Sequence, residues 1–262
     1  MQLNKKGLWQ LFLLAVLMNF LVQMIHETGH WAVYQSYGRR PVWGFIGLVQ
    51  LWDTTPLHPS EWVKTTSADG TQGWYRLASP VNGKVEEIIS SAAGPIASLL
   101  GAVLGLLLVV RSKNGAVKQM GLMLSLMTSF TMFLYYLRSP MRSGSDETAI
   151  AFQLGISRAL IEIPFAVAFL VCLILGLREL DTWKTRVAWL AVILMTSIPI
   201  GITLNVVDGY LRSQVDLDNP LFRSVFGFSL PVLIVNGLVL VGLWTWLRLA
   251  GRVSSTPPPA AG

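Results

Sequence analysis

Two histidines four residues apart are the most chemically specific feature of this chain. His26-Glu27-Thr28-Gly29-His30 has the pattern HExxH. On a helix, positions i and i+4 share one face. Two imidazoles at that spacing can bind one zinc ion at about 2.0–2.1 Å. The glutamate beside the first histidine can then take a proton from water at the metal. This makes His26 and His30 the candidate metal ligands and Glu27 the candidate catalytic base. In a chain of this composition the pattern arises by chance on the order of once in a thousand. Of the three histidines in the chain, only His58 lies elsewhere. It sits in a Pro-rich stretch and reads as a solvated loop residue.

A catalytic zinc takes three protein ligands and keeps one position open. Asp146, in RSGSDETAIA, is the first candidate for the third. An aspartate at the start of a helix is also a good N-cap, so the residues alone leave both roles open. Asp208, in NVVDGY, is the rival. Its Asp-Gly pair also reads as a turn that ends a helix. Glu86 and Glu87 open an apolar run and mark a water interface. Glu162 lies four residues after Arg158, which reads as an ion pair on a helix face.

The elements that must position these residues are apolar. Of 262 residues, 53% are hydrophobic and only 13% charged, against roughly a quarter charged in a soluble domain. Mean hydropathy is +0.55. This balance excludes a disordered chain, a coiled coil and a secreted disulfide scaffold, and points to an integral membrane protein. The net charge of +6 and pI near 9.7 do not indicate nucleic acid. The basic residues stand singly or in pairs between apolar runs, as membrane flanks do. The bilayer is therefore an expected partner and nucleic acid is not. Cys172 is the one cysteine and forms no internal disulfide. Ionisable residues inside an apolar helix are costly and mark function, which raises the weight of the HExxH turn.

Apolar runs long enough to span a bilayer lie at about Gly7–Tyr37, Val85–Val110, Val117–Leu137, Ile150–Leu177, Arg186–Val207 and Val225–Leu249. Arg158 and Glu162 interrupt the fourth, which predicts a short helix, a break and then the true span. Val42–Trp52 and Gly73–Ala78 are rich in aromatic and β-branched residues and read as strands. Asp53–Gln72 between them reads as a polar loop. The expected fold is an all-α polytopic membrane protein, with about six transmembrane helices and a small β-hairpin at the membrane surface after the first. One membrane domain is expected over residues 1–253, with a core at about 7–160 and additional helices at about 161–250. The tail SSTPPPAAG, residues 254–262, reads as disordered.

Ser91-Ala92-Ala93-Gly94-Pro95-Ile96-Ala97-Ser98 lies in the second run. Small residues let helices approach closely in a membrane. A Gly-Pro pair frees backbone groups that only a protein-lined or wet site tolerates. A kinked packing helix is the simpler reading of the same residues. HETGH in the first apolar helix, followed by AAGPIAS in the next, resembles the site-two protease family of intramembrane zinc metalloproteases. The resemblance covers about residues 18–151. It implies zinc held by His26, His30 and a distant aspartate, with Glu27 as base. It also implies a membrane-associated β-hairpin after the HExxH helix.

Asp146 suits the family's order, two spans after HExxH, although Glu147 stands where the family usually has glycine. Asp208 keeps the Asp-Gly pair but comes four spans after HExxH, so Asp146 is preferred. Ser98 stands where the family carries asparagine. The implied activity is hydrolysis of a peptide bond in or near a transmembrane segment of a membrane-protein substrate, by a multi-pass protein of the cell membrane. The departures at Glu147 and Ser98 motivate an alternative, a non-proteolytic zinc-binding membrane protein acting as a regulator or interaction partner. A transporter would need polar residues spread over several spans, whereas here they cluster in one turn.

Overall fold

The computed structural model describes residues 5–38, 41–50, 62–66, 72–76, 83–138, 145–216, 219–222 and 224–253. Seven α-helices lie among them: α1 Lys5–Ser36, α2 Lys84–Arg111, α3 Gly115–Leu137, α4 Asp146–Leu154, α5 Ala159–Arg178, α6 Trp183–Asp216 and α7 Leu230–Val253. All but α4 are long and apolar enough to cross a membrane. The chain is a multi-pass membrane protein, as its composition implies. His58 and the tail 254–262 lie outside the described residues.

Helix ends follow local chemistry. Asn114 caps α3 by accepting from the Ala116 and Val117 amides. Glu86 and Glu87 lie in the first turn of α2 and Arg111 in its last, each favoured by the helix dipole. The fourth apolar run divides as expected. α4 ends at Gly155, whose φ of +67° is left-handed, and α5 begins four residues later.

α3 is the most enclosed span. Leu14 and Met18 of α1 pack with Met123, Leu126 and Met127 of α3 and Ile193 of α6 in the main core. On α6 the large apolar residues Met195, Ile198, Ile202 and Val206 are exposed. They recur at helical spacing, and such a face is solvated by lipid.

Among the described residues six short strands form two sheets, and three expectations about them change. Val42–Trp52 is not one strand. Val42–Trp43 (β1) turns back on Leu48–Gln50 (β2) in antiparallel pairing, because glycines at 44 and 47 let the chain reverse, with the Gly44 amide donating to the Gly47 carbonyl at 2.7 Å. The second expected strand does not pair with it. Gln72–Arg76 (β4) pairs antiparallel with Trp62–Thr66 (β3), which lies in the segment read as loop. Leu51–Trp52 and Leu77–Ala78 are outside the described residues. The sixth span starts at Leu230, since Ser224–Val225 (β5) and Phe228–Ser229 (β6) form a hairpin before it. Its turn needs positive φ at Phe226 (+53°) and Gly227 (+82°). β1 pairs parallel with β6, so one sheet runs β2-β1-β6-β5.

α6 corrects a fourth expectation. It continues past Val207 to Asp216, and its 34 residues make a helix of about 51 Å. Asp208 therefore lies inside a helix and ends nothing. Its carboxylate accepts from the Phe45 amide at 2.6 Å and the Ile46 amide at 2.7 Å. One turn on, Arg212 Nη2 donates to the Leu48 carbonyl at 3.3 Å. A Cβ at Gly44 would fall 2.7 Å from Asp208 Oδ2, so only glycine lets the turn sit this close. Val42, Trp43 and Phe45 pack with Leu204 and Leu211 of α6 and Val232 of α7, which seats the sheet on the C-terminal helices.

Asp208→Ala leaves the Phe45 and Ile46 amides without their acceptor. The expected cost is roughly 1–3 kcal/mol, read as a lower midpoint of thermal unfolding in detergent. An unchanged midpoint would contradict this role for the carboxylate.

Candidate metal centre

The first helix brings its two histidines to one point, as the i, i+4 spacing requires. His26 Nε2 and His30 Nε2 lie 3.2 Å apart. Asp146 Oδ2, at the first residue of α4, lies 3.3 Å from His30 Nε2 and 3.6 Å from His26 Nε2. A tetrahedral ion with bonds of about 2.0–2.1 Å separates its ligand atoms by about 3.3–3.4 Å. The three atoms therefore form a triangle the size of one tetrahedral face. His26, His30 and Asp146 are a group that can hold a metal ion.

Asp146 is not the cap of its helix. Ser145 takes that place, its Oγ accepting from the Thr148 amide at 3.1 Å. The Asp146 carboxylate is left to face the imidazoles.

The other ring nitrogens are occupied by α2. His30 Nδ1 lies 2.7 Å from the Ser90 carbonyl oxygen. A carbonyl only accepts, so Nδ1 carries the proton and Nε2 presents its lone pair to the metal position. His26 Nδ1 lies 2.9 Å from Ser98 Oγ, and the same tautomer lets it donate there. Such partners fix ring orientation and ligand basicity.

α2 can supply them because it comes very close to α1. A Cβ on Gly29 would collide with the Ala93 carbonyl, so a side chain there would push the helices apart. A Cβ on Gly94 would collide with His30 Nε2 and lie 2.7 Å from His26 Nε2. The missing side chain of Gly94 is thus the space beside the nitrogens that an ion would use.

Glu27 is 4% exposed and His30 8%, whereas the side chains of His26 and Asp146 are 19% and 31% exposed, so the group is buried on the α1 side and partly open at Asp146. Glu27 lies on the same turn of α1 as the two histidines. Beyond Asp146, Glu147 is fully buried and accepts from the Tyr136 hydroxyl at 2.8 Å. Burial pushes the Glu147 carboxyl above its ordinary range, and the neighbouring charge of Asp146 pushes the same way.

Of the remaining candidates, Asp208 is bonded to backbone amides and is not part of the metal group. Glu162 meets Arg158 at 3.3 Å, and both are buried. Glu86 and Glu87 stay in the first turn of α2. The roles of Ser90, Gly94 and Ser98 were not assigned from sequence, yet they sit at positions i, i+4 and i+8 of one helix. That spacing was the available signal for a face turned toward α1.

No protein-family model, curated protein or solved structure matches this chain.

Two substitutions test this geometry. Ser98→Ala removes the partner of His26 Nδ1 and should weaken metal binding by roughly 10–100-fold, measured by competition with a metal chelator. Gly94→Ala places a methyl group at the nitrogens and should abolish binding. Wild-type affinity in both would contradict the assigned arrangement.

Proposed function

We propose that the chain is an intramembrane zinc metalloprotease that hydrolyses a peptide bond in or near a transmembrane segment of a membrane-protein substrate. The observation that carries this reading is the triangle of His26 Nε2, His30 Nε2 and Asp146 Oδ2 with the buried Glu27 on the same helical turn. Two imidazoles and one carboxylate suit zinc, and three protein ligands leave a fourth position open, the arrangement of hydrolytic rather than structural zinc sites. The HETGH and AAGPIAS segments support the same reading through their resemblance to site-two proteases.

A zinc ion bound here would supply Lewis acidity, enough to lower the pKa of a bound water to about 7. His26, His30 and Asp146 would hold it. The Ser90 carbonyl keeps His30 in the tautomer that leaves Nε2 free, and the Ser98 hydroxyl can accept from His26 Nδ1 in the same tautomer. Glu27 accepts the proton of the attacking water and passes it to the leaving amine nitrogen. Gly94 keeps the space beside the imidazoles clear. The substrate must unwind locally, because the carbonyls of an intact helix are engaged and shielded. β2 lies at the edge of its sheet and offers a strand on which an unwound segment can pair.

Glu27→Gln separates this reading from metal binding without hydrolysis. The variant should keep its zinc and lose roughly 10²–10⁴-fold in cleavage rate. Detergent-solubilised single helices with a central Gly-Pro pair would serve as substrates, with new termini read by mass spectrometry. Full cleavage by the variant, or no cleavage by the wild type across such a panel, would overturn the protease assignment.

A further inference from the structure

Two of the three metal-facing side chains come from one turn of α1, and their relative position is set by a single helix. The third comes from α4, a helix of nine residues. A helix that short does not hold itself in place. Its position against α1 must come from tertiary contacts near Asp146.

α4 packs chiefly against α2, and three polar contacts among the described residues reach its first turn. The Ser145 cap is local and sets only the start of the helix. Arg158, at the start of α5, donates to Thr148 Oγ1 at 3.3 Å. The Tyr136 hydroxyl, near the end of α3, donates to Glu147 Oε1 at 2.8 Å. This last tie is the shortest and the best enclosed, with Glu147 at 0% exposure and Tyr136 at 5%. The Tyr136 ring is itself fixed. It stacks with Phe165 and Phe169 of α5, with centroids 6.1 Å away in each case. Glu147 Oε2 has no hydrogen-bond partner among the described residues; Ser145 also interacts with this carboxyl but belongs to the same short segment, so Tyr136 is the tie that reaches it from another helix. Glu147 directly follows Asp146 in the chain, and metal–ligand distances tolerate only about 0.2 Å.

We propose that Glu147 is a positioning residue for the metal centre, and that its hydrogen bond from Tyr136 sets where Asp146 presents its carboxylate to the two imidazoles. The inference rests on the metal-binding reading of His26, His30 and Asp146. Tyr136 and Glu147 touch neither metal nor substrate and act only through the placement of α4.

The test is cobalt titration of the full-length protein in detergent after removal of metal by chelation. It reads the affinity and the visible d–d absorption, which reports coordination geometry, and the thermal midpoint of the metal-free protein is taken alongside. The variants are Tyr136→Phe, Glu147→Leu and Glu147→Gln. Tyr136→Phe and Glu147→Leu should each weaken cobalt binding by roughly 10–100-fold and shift the band, and the double variant should be no weaker than either. Glu147→Gln keeps an acceptor for the Tyr136 hydroxyl and should restore affinity and spectrum. Wild-type affinity and spectrum in Tyr136→Phe and Glu147→Leu would overturn the positioning role while leaving the metal centre in place. So would a Glu147→Gln as impaired as Glu147→Leu. A wild-type protein that takes up no cobalt would overturn the metal reading and this inference with it.

Discussion

The close approach of α1 and α2 is the contact on which the candidate site depends. Gly29 on one helix and Ala93 and Gly94 on the other leave no room for larger residues between the backbones. That approach brings the Ser90 carbonyl and the Ser98 hydroxyl within hydrogen-bonding distance of the two histidine rings. It also leaves open space at the imidazole nitrogens. In a bilayer, small residues permit such packing because there is no hydrophobic force between helices to compensate for a poor fit. A larger side chain at 29 or 94 would remove the orienting partners and the metal position together.

The rest of the bundle divides into parts that serve this contact. The short helix that delivers Asp146 packs chiefly on α2, with hydrogen bonds from Tyr136 at the end of α3 and from Arg158 at the start of α5. α6 and α7 carry the sheet that follows α1, and Asp208 ties its turn to α6. Carboxylates within the bundle of a membrane protein need partners, and four of them have four different ones. Asp146 faces imidazoles, Glu147 a phenol, Glu162 a guanidinium and Asp208 a pair of backbone amides. Only the first arrangement leaves lone pairs converging on a shared point.

Much of this was legible in the sequence, for identifiable reasons. The spans follow from hydropathy, which a bilayer enforces more strictly than a soluble core does. The meeting of His26 and His30 follows from helical spacing alone. Asp146 was legible as a candidate because few ionisable residues stand near apolar runs, but the residues could not separate ligand from cap. In the structure Ser145, one position earlier, takes the cap, which leaves the Asp146 carboxylate facing the imidazoles. Asp208 misled for a physical reason. Asp-Gly favours a turn locally, yet α6 runs through it because the carboxylate is fixed by amides 162 and 163 residues away. The partner of His30 is a backbone carbonyl, which every residue has, so no residue type could announce it. The pairing of β1 with β6 joins Trp43 to Phe228, and two-residue strands carry too little pattern to foretell it.

The most direct test of the central claim is the metal stoichiometry of the purified protein as wild type, Asp146→Ala and Asp208→Ala. The expected result is one zinc per chain in the wild type and in Asp208→Ala, and none in Asp146→Ala, since among the described residues only Asp146 shares a metal-sized triangle with the histidines. Loss of zinc in Asp208→Ala with retention in Asp146→Ala would contradict the ligand set. A wild type that binds no zinc when it is supplied would contradict the metal centre itself.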